Sequence, residues 1–194
     1  MSPQQQLRYQ LERFVKFNDE DWELLTPHLV ERNLEKDEYF AREGKTAKDI
    51  AFVIQGDLRQ FYTQDGEEKT TYFYFENHLM SSYFSCITGK PSELTIQALT
   101  DCRLITFPYE ILRRLFGKSH AWERFGRLIA EYIAIGLEER MVGLLTLSPE
   151  ERYLQLLHGN KKKILERIPQ QYIANYLGIT PVSLSRIRKR VSDR

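Results

Sequence analysis

The sequence has few of the residues that metal centres and disulfide frameworks require. Among its 194 residues are two cysteines, Cys86 and Cys102, and neither lies in a CxxC or CxH pattern. Its four histidines are scattered singly, without an HxH or HExxH pair. The composition therefore argues against a disulfide framework, a zinc finger, a four-cysteine cluster and a histidine-rich metal site. We expect no metal and no cofactor.

Long apolar runs and the usual enzyme motifs are missing as well. The longest apolar runs, such as 50–54, are too short to span a bilayer, and the N-terminus MSPQQQ lacks the pattern of a secretory signal. No GxSxG, P-loop or GxGxxG stands in a suitable context, and residues 28–107 hold only two widely separated histidines. We therefore expect a cytoplasmic protein with no membrane partner, no catalytic residues and no enzymatic activity.

The net charge of +1 conceals a strong asymmetry along the chain. Residues 161–194 carry nine Lys or Arg against two acidic residues, which gives +7, whereas the remaining residues carry 19 basic and 25 acidic side chains, which gives −6. A basic end on an acidic body predicts a polyanionic partner at that end. A solvated, frayed tail is the alternative, and charge alone does not decide between them.

The residue pattern predicts an α+β fold. Apolar residues at helical spacing predict a helix over 5–17 and a second one after it, capped at Asn18. From 28 to 107, short β-rich segments alternate with turn signals about every ten residues, which is typical of a β-barrel or jelly roll. The predicted strands include 51–55, 58–63, 70–75, 94–98 and 103–107.

A long helix is predicted from the Ser119 cap to about Leu147. Its apolar stripe is too wide for one face, which favours packing on its own domain on one side and on a second copy of the chain on the other. The residues expected on this dimer helix are Phe125, Ile129, Tyr132 and Ile133. Because Ser148 and Pro149 form a clear helix start, we divide the chain into a barrel unit (1–118), a dimer helix (119–147) and a C-terminal helical unit (148–194).

Segment 169–189, PQQYIANYLGITPVSLSRIRK, has the packing pattern of a helix-turn-helix. A first helix is predicted over 170–177, and Gly178 supplies a turn in which a positive φ is cheap. Thr180 and Pro181 cap and start the second helix, whose Leu184 and Ile187 face inward. An αα-hairpin that packs on another protein is the alternative interpretation.

The outer side of the second helix suits DNA recognition. It carries short side chains first and basic ones after them: Val182, Ser183, Ser185, Arg186, Lys189 and Arg190. Small residues let a helix enter the major groove, where Arg reads guanine. We expect Arg186 to reach a base edge, Val182 to offer only apolar contact, and Gln170 and Thr180 to contact phosphate.

The order of barrel, long helix and helix-turn-helix resembles the Crp–Fnr superfamily of bacterial transcription regulators, and YIANYLGITPVSLSRIRKR looks like its short, wingless Bacteroidetes members. IAFVIQGDLRQFY and IQALTDCRLITFPYEILRRL are similar to the family's barrel segments. The resemblance implies a cyclic-nucleotide-binding-type sensor barrel and a homodimer that regulates transcription from a palindromic DNA operator, with RNA polymerase as a further partner. A ligand-sensing or protein-interaction module that does not bind DNA is the alternative.

The family's phosphate-binding cassette does not match. Members that bind cyclic AMP carry Gly-Glu and, about ten residues later, Arg followed by Ser or Thr. Here Ser81-Ser82 and Ser92-Glu93 occupy those positions. We therefore expect no response to cyclic AMP. Together with Tyr83, these residues either hold a different small effector or are the remnant of a filled pocket, and the sequence leaves both open.

Overall fold

The computed structural model describes residues 1–159 and 162–193. Lys161 and Arg194, which belong to the predicted polyanion-binding end, lie outside the described residues. Within the described ranges, no helix combines the length and apolar character needed to cross a membrane.

Two short helices open the chain. Helix α1 (Pro3–Leu11) starts at a Ser2 capping box, and α2 (Asp19–Glu23) starts at the Asn18 cap; a single 3-10 turn follows. The prediction of one helix over 5–17 is wrong at its C-terminal end. The chain leaves the helix after Leu11 and places the ring of Phe17 4.3 Å from that of Trp122, so tertiary packing overrides the local helical pattern.

The predicted β-barrel is confirmed. The described residues form eight strands: β1 (Val30–Leu34), β2 (Tyr39–Ala41), β3 (Asp49–Gln55), β4 (Leu58–Gln64), β5 (Glu67–Tyr74), β6 (Leu79–Met80), β7 (Thr95–Ala98) and β8 (Cys102–Pro108). They pair antiparallel in two sheets with the orders β1-β8-β3-β6 and β2-β7-β4-β5. The two inner faces enclose one apolar core that includes Val53, Leu58, Ile96 and Leu104. In the second sheet β5 is an edge strand.

One helix interrupts the barrel and the others follow it. They are α3 (Tyr83–Thr88), α4 (Tyr109–Phe116), α5 (His120–Thr146), α6 (Pro149–His158), α7 (Lys162–Arg167), α8 (Gln170–Tyr176) and α9 (Pro181–Ser192). Ser119 caps α5, and Ser148 forms a reciprocal capping box with Glu151 at the start of α6.

Helix α5 changes its environment along its length. Its first turns, including Trp122 and Phe125, are buried against α1, α2 and α4. Phe125 contacts Phe14 and Phe17 within its own chain, so the expectation that it faces a second copy is corrected. Ile129 is partly buried against the same core. Beyond it, the apolar side chains project into solvent.

The C-terminal helices pack on the barrel. Phe73, Phe75 and Leu99, on the sheet that contains β5, join one apolar cluster with the buried residues of α6 to α9. The ring of Phe73 lies 5.4 Å from that of Tyr176 at the end of α8. The helix-turn-helix core and this outer barrel face are therefore a single packed unit.

Gly56 lies in the β3–β4 turn with φ +107°, and a Cβ there would approach Cys102 Sγ to 2.5 Å and Asp101 O to 2.7 Å. We expect Gly56→Ala to lower the free energy of unfolding by about 3 kcal/mol, from the φ strain and the overlap together. Gly89→Ala is the matched control, because Gly89 has φ +72° but open space around it. It should cost about 1 kcal/mol. Urea unfolding of both variants measures the difference, and equal losses would contradict the steric part.

Candidate nucleic-acid interface

The helix-turn-helix forms as its sequence predicts. Gly178 adopts φ +71° directly after α8, and its turn lets Ile179 N donate to Ala174 O. The Thr180 hydroxyl caps α9 by accepting from Ser183 N at 3.2 Å. The buried residues that hold the two helices together are Ile173, Ala174, Leu177, Leu184 and Ile187. Because the inward positions are fixed by packing, the opposite side of α9 must face outward.

That outer face is accessible to a large partner. Val182 is 61% exposed, and Ser185, Arg186 and Lys189 are exposed too. Ser183 is half-buried, with its hydroxyl 3.0 Å from Thr180 Oγ1. Gln170 is exposed at the start of α8. The docking of the helix-turn-helix on the barrel therefore leaves its predicted DNA-reading surface open.

A groove of about 790 Å³ runs between the first turn of α6 and α9. Four of the predicted DNA-binding residues line it: Ser183, Arg186, Lys189 and Arg190. Of these, Arg190 pairs with Glu150 of α6 at 3.0 Å. Glu150 was missed by sequence reasoning, because only the fold brings the start of α6 beside α9.

An ion-pair cluster joins α7 to the barrel. Arg167 lies 2.6 Å from Asp57 Oδ1 and 2.6 Å from Glu76 Oε2, and Lys163 lies 3.3 Å from Glu76. The bond from Arg167 lowers the pKa of Glu76 to about 2. The Asp57 side chain is only 5% exposed, and burial raises its pKa although Arg167 acts against that shift. Removing the cationic partner of a buried carboxylate leaves an uncompensated charge and destabilises the fold.

A second connection runs from α8 to the edge of the barrel. The Asn175 amide accepts from Thr70 N at 2.6 Å and donates to Glu68 O at 2.7 Å. Asn175 thus satisfies backbone groups of β5 that an edge strand otherwise leaves unpaired. Arg59 of β4 stacks against Tyr172 of α8 at 4.1 Å, while its guanidinium pairs with Glu68.

The long helix is tied to α8 as well. Arg140 of α5 stacks on the Tyr176 ring at 3.6 Å and donates to the Tyr176 carbonyl at 2.6 Å. Because Tyr176 also packs on Phe73, one side chain touches the barrel and the long helix together. The sequence offered no signal for Arg140, Asn175 or Arg167, since their partners are distant along the chain.

The two serines at the centre of the expected effector pocket hydrogen-bond within the chain. Ser82 and Ser92, at 1% and 2% exposure, hydrogen-bond to each other at 2.8 Å. The Ser92 backbone bonds to Gly44 N and Lys45 O, and its hydroxyl donates to Leu94 O at 2.7 Å. The two residues at the positions that contact ribose and phosphate in cyclic AMP-binding members therefore bond to each other.

The remaining pocket residues lie around this closed centre. Ser81 is half-buried, and the half-buried Tyr83 ring packs edge-on against Tyr109. Glu93 is exposed and lines an open depression of about 650 Å³ next to Ser92. Lys69 lines the same depression and is a cation near these residues. Arg59 lies on the outer face of the sheet, where it bonds to Glu68 and Gln97. Within the described ranges, no group of three His, Cys, Asp or Glu could hold a metal ion.

The chain thus combines a double-sheet barrel, a long helix with an exposed apolar half and an outward-facing helix-turn-helix. Residues 31–119 match the family model of the cyclic nucleotide-binding domain. The fumarate and nitrate reduction regulatory protein of Vibrio cholerae is 27% identical over 176 residues, which cover 84% of this chain and 69% of that protein.

Two solved structures share the fold. FixK2 from Bradyrhizobium japonicum superposes with a TM-score of 0.71 at 19% identity, covering 85% of each chain. A Eubacterium rectale protein described as a transcriptional regulator of the crp/fnr family superposes with a TM-score of 0.68 at 21% identity, covering 91% of this chain and 84% of that one. The domain match and the Vibrio relative make this chain similar to transcription regulators of the Crp/Fnr type, and the two solved structures share its fold.

Proposed function

We propose that this chain is a homodimeric, sequence-specific DNA-binding transcription regulator that acts in the cytoplasm and does not respond to cyclic AMP. The observation that carries the proposal is the exposed outer face of α9, in a helix-turn-helix that follows a cyclic-nucleotide-binding-type barrel. The working units are the barrel (1–118), the dimer helix (119–147) and the DNA-binding unit (148–194). The proposal includes no catalytic step.

The DNA-reading role falls on α9. Arg186 is a long cation two turns into the helix, and it lies on the exposed side with Val182 and Lys189. Arg is suited to bidentate contact with guanine, whereas Val182 offers only an apolar contact such as that to a thymine methyl. Gln170, Thr180 and Lys189 are assigned to phosphate.

The remaining residues of α9 have supporting roles. Ser183 and Ser185 are short enough to admit the helix to the groove. Arg190 is assigned to phosphate too, but its pair with Glu150 must loosen before its full charge reaches DNA. Because the Arg190 side chain is 62% exposed, solvent screens this pair, and phosphate competes with it.

The dimer role falls on the second half of α5. Tyr132 is 60% exposed and Leu137 65% exposed, and Ile133 and Met141 are exposed beside them. Burying such a stripe against its twin removes apolar area from water. A two-fold axis along α5 would present the two recognition helices to successive major grooves about 34 Å apart, which calls for a palindromic operator. RNA polymerase is proposed as a further partner.

The first prediction from this proposal concerns base reading. We expect Arg186→Ala to cost about 1–3 kcal/mol on a selected operator and to relax base preference at one position per half-site. Arg188→Ala is the control, because it removes the same charge from the same helix but from a different face. Fluorescence anisotropy titrations with the operator and a scrambled duplex, at two salt concentrations, distinguish base reading from phosphate contact. Equal losses on both duplexes would make Arg186 a phosphate contact instead.

The second prediction concerns assembly. Ile133→Glu and Leu137→Glu should convert the dimer to a monomer, since each would bury a charge in the apolar seam. Val30→Glu is the matched control, because Val30 is similarly exposed but lies on β1 of the barrel. Light scattering at micromolar concentration reads the mass. An unmutated protein that is already a monomer there would refute the dimer.

The third prediction concerns the effector. Cyclic AMP should give no binding heat at millimolar ligand, because the missing Arg–phosphate bond removes about 1.5–3 kcal/mol and the Ser82–Ser92 pair occupies its place. Isothermal titration against 5′-AMP supplies the reference heat. A micromolar dissociation constant for cyclic AMP would show that other groups supply the charge and that the serine pair opens.

A further inference from the structure

The DNA-binding unit and the barrel share one continuous contact. It has an apolar centre, where Phe73, Phe75 and Leu99 pack with the helices, and polar ties at its margins. The effector centre is at the same time closed by Ser82 and Ser92. The chain therefore holds both of its units in one arrangement with its own side chains.

We propose that Arg167 with Asp57 and Glu76, together with Asn175 on the edge of β5, forms an interdomain latch that braces the helix-turn-helix for DNA binding. The inference rests on the proposed DNA-binding function and specifies how that site is regulated. In this role the barrel supports the reading helix.

The geometry of Arg167 suits a latch. Its guanidinium donates from Nη1 and Nη2 to the two oxygens of Glu76 and from Nε to Asp57 Oδ2 at 3.1 Å. Glu76 and Asp57 belong to two different chain segments at the same end of the barrel, next to the Gly56 turn. One residue of α7 thus clamps two barrel segments, and bidentate pairing of this kind fixes orientation as well as distance.

Asn175 adds a tie that is sensitive to position. Its side-chain amide bonds to one donor and one acceptor of β5, as a neighbouring strand would. Such a pair is lost if α8 slides along the strand, because the matching backbone groups no longer face it. The latch therefore fixes where α8 lies along β5 as well as how close the two elements are.

A brace favours DNA binding because both reading helices of a dimer must reach grooves at a fixed separation. A loosely tethered unit loses orientational freedom when it binds, whereas a docked unit has already lost it. The arrangement is compatible with DNA, since the outer face of α9 remains exposed while α8 is docked.

The test uses full-length protein refolded from urea, so that no co-purified small molecule remains. Hydrogen exchange of the peptide 67–74 reports the latch without DNA, because Thr70 N–H donates to Asn175. We expect Asn175→Ala and Glu76→Gln to accelerate exchange there by about fivefold or more. Unchanged exchange in both variants would overturn the latch, whatever the DNA affinity.

Operator binding tests the brace. Glu76→Gln removes a negative charge, so simple electrostatics predicts tighter DNA binding, whereas the brace predicts operator binding weaker by about fivefold or more. Glu31→Gln makes the same charge change at an exposed pair with Arg103 on the barrel, and its operator affinity should not fall. If the operator affinity of Glu76→Gln does not fall, as expected for Glu31→Gln, the brace is wrong. If the unmutated protein binds no duplex, the proposed function fails, and the exchange measurement alone decides the latch.

Discussion

The packing of α8 against β5 is the constraint on which the rest of the arrangement depends. Tyr176 ends α8 between Phe73 of the barrel and Arg140 of the long helix. This single position links the sensor-type barrel, the dimer helix and the helix-turn-helix. Without it, the DNA-binding unit would be held only by the ion pairs of α7 with the barrel and by the short connection between α5 and α6.

Charge serves two purposes in the C-terminal region. Arg186 and Lys189 project outward, where they are available to a polyanion. Arg167 belongs to the same basic stretch, yet it is occupied by Asp57 and Glu76, and it lowers the pKa of Glu76 to about 2. The positive charge counted along the sequence therefore overstates the charge that can meet DNA.

Ser82 and Ser92 give this site a different chemical character from a site that binds a cyclic phosphate. A pocket that binds a cyclic phosphate needs a partly buried cation that is available to pair with the phosphate. Ser92 is instead neutral, buried and hydrogen-bonded at its backbone and its hydroxyl. Ser82 completes this local network, so the hydroxyl groups of both serines have hydrogen-bond partners within the chain.

Local patterns in the sequence determined the barrel region, the long helix and the helix-turn-helix, because caps, turns and apolar periodicity act over a few residues. Gly178 and Thr180 could be assigned in this way. Tertiary structure alone decided that the helix over 5–17 stops at Leu11, that Phe125 is buried in its own chain, and that Arg167 meets Asp57. These outcomes depend on contacts between residues far apart in the chain, which no local spacing encodes.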